Sequence, residues 1–149
     1  MSNPDRSNKL SILFTGGGGV GNEYLYRLLR QEYVLYFGDA NIDQIHPLIP
    51  EKIRVQLPYA NSDKFVSSLI QSCKKLNVDL VIPGVDEELE LIMHNKEFFE
   101  CKILLPELDF IITHNDKFKS FKSLISYNIQ TPKTRRANEN FGTMPCILK

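Results

Sequence analysis

Residues 10–21 read LSILFTGGGGVG: an apolar run from Leu10 to Thr15 breaks off into four consecutive glycines, Val20 and a fifth glycine. A short apolar run that ends in a glycine turn is the pattern of a buried parallel strand. Gly16, Gly18 and Gly21 satisfy the spacing GxGxxG, with Gly17 and Gly19 between them, and Leu25, Leu28 and Leu29 then mark a helix. Between a strand and a helix, such a turn can cradle a phosphate or a substrate, because backbone N–H groups at a helix start attract anions. The same glycines are also explained by close packing of helix on strand, with no ligand at all.

Residues 33–37 (YVLYF) form a second buried-strand candidate, closed by Gly38 and Asp39, and the chain between the two runs is long enough for one right-handed βαβ crossover. Asp39 follows the turn by roughly 20 residues, where a dinucleotide-binding fold holds the ribose hydroxyls. A stand-alone Rossmann module for NAD(P), or one for a flavin, is therefore an open alternative.

Past a looping stretch with Pro47, Pro50 and Pro58, a third strand is expected at residues 53–56, then an amphipathic helix. Its apolar stripe is Phe65, Val66, Leu69, Ile70, Cys73 and Leu76, with Asn61 or Ser62 as N-cap. Residues 79–83 (DLVIP) read as the next buried strand. Asp86, Glu87 and Glu88 open a helix whose acidic first turn suits its dipole, with Leu89, Ile92, Met93 and Phe99 toward the core. Asp39, Asp86 and Glu87 thus fall at strand ends, where open α/β sheets place their ligands. Carboxylates there can act as acid and base or bind a metal, although an N-capped acidic first turn explains Asp86 and Glu87 fully.

Residues 103–105 give one more strand and 107–111 a helical turn. Thr113, His114, Asn115 and Asp116 read as a capping-box helix start, and Phe118, Phe121, Leu124 and Ile125 supply a buried stripe up to Asn128. Residues 134–142 are polar and linker-like, and 144–149 begin a strand. A strand beginning at the last residues suggests a chain cut at a boundary.

The chain has 149 residues, is 42% hydrophobic and balances 18 basic against 18 acidic residues, which favours neither nucleic acid nor a membrane surface. With no apolar leader or span, a cytoplasmic protein is expected. Cys73, Cys101 and Cys146 are widely spaced and read as buried free thiols. His46, His94 and His114 are scattered, so no metal site and no catalytic constellation is assigned. Lys117, Lys119 and Lys122 form a basic run, ordinarily a solvated face.

Six segments in order carry a family resemblance: LFTGGGGVG (13–21), YVLYFGDAN (33–41), NVDLVIPGVDEELELI (77–92), ILLPE (103–107), HNDKFKSFKSLISYNIQTPKT (114–134) and PCILK (145–149). Together they resemble the opening of ATP-grasp ligases of the carbamoyl-phosphate synthase large-chain type. The resemblance implies an α/β fold: a Rossmann-like, doubly wound, mostly parallel sheet (the pre-ATP-grasp domain) with a C-terminal helical arm and strand stub. It divides the chain into a disordered leader (1–9), the Rossmann-like domain (10–112), and the helix, linker and first strand of a truncated ATP-grasp domain (113–149). By position it assigns Lys117 and Lys149 to the ATP phosphates, whose developing charge ammonium groups neutralise. It further implies ATP and Mg for the complete enzyme, a small-molecule carboxylate substrate and a partnering ATP-grasp lobe. The chain alone is expected to be inactive, and exposed lobe-facing surface raises a homodimer as a possible state.

Overall fold

A computed structural model describes residues 9–136 and 139. Residues 1–8 of the expected leader, the strand at 144–149, Cys146 and Lys149 lie outside the described residues; Lys9, the last leader residue, donates its ammonium to the Gln31 carbonyl at 2.6 Å. The chain divides after Pro106 into two compact units.

The first unit contains β1 (Ser11–Thr15), α1 (Asn22–Leu29), β2 (Val34–Asp39), β3 (Arg54–Gln56), α2 (Phe65–Leu76), β4 (Leu80–Ile82), α3 (Asp86–His94) and β5 (Lys102–Ile103). All five strands are parallel, in the order β3-β2-β1-β4-β5. The chain builds outward from β1 to β3, then crosses back and builds the other half through β4 and β5. This reversal opens a crevice beyond the carboxyl ends of β1 and β4, the place where open sheets bind ligands.

The sheet is covered on both faces, which is why its strands read as continuous apolar runs. Alternation sends Ile12, Phe14, Leu35 and Phe37 to one face, where they pack with Ile45, Ile49 and the half-buried Leu25, Tyr26 and Leu29 of α1. Phe14 stacks on Phe37 with ring centroids 5.2 Å apart. Leu13, Tyr36 and Val81 point the other way, onto Phe65, Leu69 and Cys73 of α2 and Ile92 of α3. Phe37 and Phe65 are fully buried and each contributes about 1.5–3 kcal/mol by leaving water.

Several boundaries differ from expectation for identifiable reasons. Leu28 is on the helix but 63% exposed, so Leu25 and Leu29, with Tyr26, carry the packing stripe. β2 runs on through Gly38 and Asp39, which pair with Val55 and Gln56; Gly38 fits because Leu57 Cδ1 lies 2.6 Å from where a Cβ would stand. Neither Asn61 nor Ser62 caps α2, which starts later, at Phe65, with Lys64 in the cap position. Ser62 instead accepts the Lys64 N–H at 3.3 Å, stabilising the turn ahead of the helix. In α3 the fully buried positions are Glu88 and Ile92, whereas Leu89 and Met93 are half-buried. β5 is Lys102–Ile103, one residue earlier and shorter than expected.

The second unit holds α4 (Leu108–Asn115) and α5 (Lys117–Ser126). The helix start expected at residues 113–116 is thus the end of one helix and the cap of the next. Asp116 is extended (φ −85°, ψ 109°), and its Oδ1 accepts the N–H groups of Phe118 and Lys119 at 2.9 and 3.0 Å. These two bonds hold the Asp116 carboxyl below its ordinary range. The expected buried stripe is only partial: Phe118, Phe121 and Leu124 are half-buried and Ile125 is 50% exposed. Among the described residues no helix is long and apolar enough to cross a membrane.

Candidate functional site at the carboxyl edge of the sheet

A cavity of about 770 Å³ occupies the crevice. Gly16 and Asp39 line it from the ends of β1 and β2, residues 58–61 from the loop after β3, and Glu87, Glu88, Glu90, Leu91 and His94 from α3. Glu87, Glu90, Leu91 and His94 fall at i, i+3, i+4 and i+7, the spacing that puts them on one helix face. The wall therefore carries four carboxylates, counting Asp39 and Glu88, and its lining includes no lysine or arginine.

The glycine turn beside the cavity spends its amides on the protein itself. Gly17 N–H donates to the Gly38 carbonyl at 2.9 Å, Gly18 N–H to Asp39 Oδ2 at 2.8 Å, and Gly19 N–H to the Gly16 carbonyl at 2.8 Å. The second oxygen of Asp39 accepts the Asn41 N–H, also at 2.8 Å. Asp39 is thus a brace between the glycine turn and the loop after β2. Gly16 (φ 63°) and Gly21 (φ 98°) are left-handed, which explains two of the five glycines by backbone conformation.

Glu88 is the most deeply placed carboxyl, only 6% exposed. Thr15, the last residue of β1, donates its hydroxyl to Glu88 and accepts the Gly84 N–H at 3.1 Å. Burial pushes the Glu88 carboxyl up to about 7; the Thr15 hydrogen bond opposes this, and the charges of Asp39 and Glu87 add to it. A group balanced there can give or take a proton near neutral pH. At the other end of α3, His94 Nδ1 lies 2.9 Å from the Glu90 carbonyl, and a carbonyl only accepts. Nδ1 is therefore the donor in this contact, and Nε2 is the ring nitrogen not engaged by it.

Of the residues expected from sequence, Gly16, Asp39 and Glu87 come together in this cavity. Asp86 opens α3 but is exposed and does not line it. Lys117 is in the second unit, at the start of α5, with Nζ 3.4 Å from the His114 carbonyl. Glu90 and His94 are legible in the 87-90-91-94 spacing on the expected helix, whereas Glu88 is placed by its contact with Thr15, 73 residues away, for which the sequence carries no local signal.

The fold and the crevice define a Rossmann-like, doubly wound α/β protein. Among solved structures, it is similar to N5-carboxyaminoimidazole synthase from Aspergillus clavatus, whose crystal structure is in complex with ADP and 5-aminoimidazole ribonucleotide. The TM-score is 0.58, with 20% sequence identity, over 82% of this chain and 30% of that one. At that identity the likeness is one of fold, and the chain spans about 30% of that synthase's length. No family model and no curated protein matches the chain.

Proposed function

We propose that the chain is the N-terminal domain of an ATP-dependent ligase of the ATP-grasp type and that its strand-end cavity holds an amine-bearing substrate. The observation that carries this is the likeness of fold, over 82% of the chain, to a synthase crystallised with ADP and an amine-bearing ribonucleotide. The narrower reading, a carbamoyl-phosphate synthase-like large chain, rests on the motif order alone.

The chemistry of the wall supports an amine. Glu87 and Glu90 accept hydrogen bonds and attract positive charge, and in a half-enclosed cavity that attraction is stronger than in bulk water. The same wall disfavours a dinucleotide. A pyrophosphate at the glycine turn would meet amides already bonded at Gly17, Gly18 and Gly19, and the negative carboxylate of Asp39 against Gly18. Asp39 has both oxygens committed, so it offers little to a ribose.

In the reaction class proposed, ATP phosphorylates a carboxylate to an acyl phosphate and ADP, and an amine then attacks the acyl carbon and displaces phosphate. This domain would bind and orient the amine, with Glu88 poised to take its proton. Lys117, and by position Lys149, would face the phosphates. Among the described residues no group of three His, Cys, Asp or Glu could hold a metal, so no role toward Mg is assigned to them. The second unit exposes the apolar side chains of Phe110, Ile125, Tyr127 and Ile129, which a completing ATP-grasp lobe would cover.

Calorimetric titration of the purified chain with 5-aminoimidazole ribonucleotide and with NADH tests this reading. The expected result is no saturable heat with NADH, and binding of the amine that weakens at least several-fold in Glu87→Gln and Glu90→Gln. Saturable NADH binding, lost on replacing Gly18 or Asp39, would overturn it.

A further inference from the structure

At the end of the sheet opposite the cavity, two cysteines far apart in sequence meet. Cys73 is buried in the last turn of α2, and its carbonyl accepts the Val78 N–H at 2.9 Å after the chain turns through the left-handed Asn77. One residue on, the Asp79 carbonyl accepts the Lys102 N–H at 3.0 Å, which places Cys101 just ahead of β5. These two bonds bring the two residues together: Cys101 packs against the core cluster that contains Cys73. Both line one cavity of about 310 Å³, and Cys101 is half-exposed. Both are free thiols.

We propose that Cys73 and Cys101 are a dithiol modification site that closes reversibly to a disulfide by exchange with a low-molecular-weight disulfide, tying the end of α2 to the edge strand β5. The thiolate of Cys101 attacks one sulfur of the external disulfide. That S–S bond breaks, one thiolate leaves, and a mixed disulfide remains on Cys101. Cys73 then loses its proton and attacks Cys101 Sγ, forming the internal S–S bond and expelling the second thiolate. The two protein thiols are oxidised by two electrons, the external disulfide is reduced to two thiols, and the two protons from Cys101 and Cys73 end on those products.

The surroundings suit this order of events. Cys101 is held at about 7, chiefly by the Cys73 thiol, while burial and the carboxylates of Asp79 and Glu100 oppose that shift. Cys73 is pushed upward by the Cys101 thiol and by burial, so it stays protonated until the mixed disulfide forms. Lys74, which also faces the cavity, is paired with Glu100 at 2.7 Å. Cys101 is thus the accessible attacking thiol and Cys73 the buried resolving one. The inference stands apart from the ligand proposed for the other end of the sheet.

The test uses the full chain carrying Cys146→Ser, exposed to oxidised glutathione, followed by peptide mapping and thermal melting. A Cys73–Cys101 cross-link, a rise in Tm reversed by dithiothreitol, and a persistent glutathione adduct on Cys101 in the additional variant Cys73→Ser are expected. Both thiols still free after exposure, or an adduct on Cys101 that never resolves when Cys73 is present, would overturn the proposal. The mapping of the chain with Cys73 intact decides the matter even if Cys73→Ser fails to fold.

Discussion

The Thr15 hydroxyl is the hinge between the two halves of the sheet's carboxyl edge: it donates to the Glu88 carboxyl in α3 while accepting the Gly84 N–H at 3.1 Å. One side chain at the end of the central strand thereby fixes both the turn after β4 and the deepest acid in the cavity. Losses at this point should appear in stability and in proton binding together.

Glu88 makes stability fall with rising pH. Its folded value of about 7 exceeds the ordinary 4.5, so between those values the folded chain holds more proton than the unfolded one. The contribution is fully present below about 4.5, declines through the window and is gone above about 7. At about 1.4 kcal/mol per unit the span is about 3 kcal/mol. Urea midpoints measured from about pH 5 to about pH 8 should fall for the parent chain and be flatter for Glu88→Gln; parallel curves would refute the assignment.

Thr15→Val keeps the shape of the side chain and removes the hydroxyl. Gly84 N–H loses its acceptor and Glu88 its donor, which should cost roughly 1–3 kcal/mol. Thr15→Ser should recover most of that loss. Chemical denaturation of the two variants side by side checks it, and equal losses would mean that packing, not the hydroxyl, matters.

Two glycines should respond to alanine for different reasons. A Cβ at Gly84 would stand 2.5 Å from the Thr15 carbonyl oxygen, so the backbone of β1 must move, which we expect to cost about 3 kcal/mol or more. At Gly21 a Cβ meets nothing within 4 Å, and only its positive φ of 98° opposes the change, at about 1–2 kcal/mol. Thermal melts should rank Gly84→Ala below Gly21→Ala; the reverse order would contradict the close approach.

Asp39→Asn replaces one acceptor oxygen by an NH₂ group facing a backbone N–H, from Gly18 or from Asn41. The expected result is faster amide exchange at Gly18 and Asn41, with a stability loss of roughly 1–3 kcal/mol. Unchanged protection at both amides would show that Asp39 does not brace the turn.

Much of the fold was legible because it depends on local pattern. Apolar runs the length of strands, each ending in glycine or proline, named the strands near residues 10–15, 33–37 and 79–83, and the stripe from Phe65 to Leu76 named α2. Boundaries were less legible where a neighbour decides them. β2 extends through Asp39 because β3 offers hydrogen bonds there, and the capping-box pattern at 113–116 is split between two helices because Asp116 breaks the axis.

The sequence by itself determined the layered α/β architecture, since continuous apolar strands alternating with amphipathic helices can bury their surface in few other ways. Only the tertiary structure decided what the polar groups do. The order β3-β2-β1-β4-β5 set Asp39 against Gly18, Thr15 against Glu88 and Cys73 against Cys101, pairs separated by 21 to 73 positions in the chain and, for the thiols, by the span from 73 to 101. A hydrogen bond reaches about 3 Å regardless of sequence separation. Chemistry made of such contacts is therefore settled only when the strands have found their neighbours.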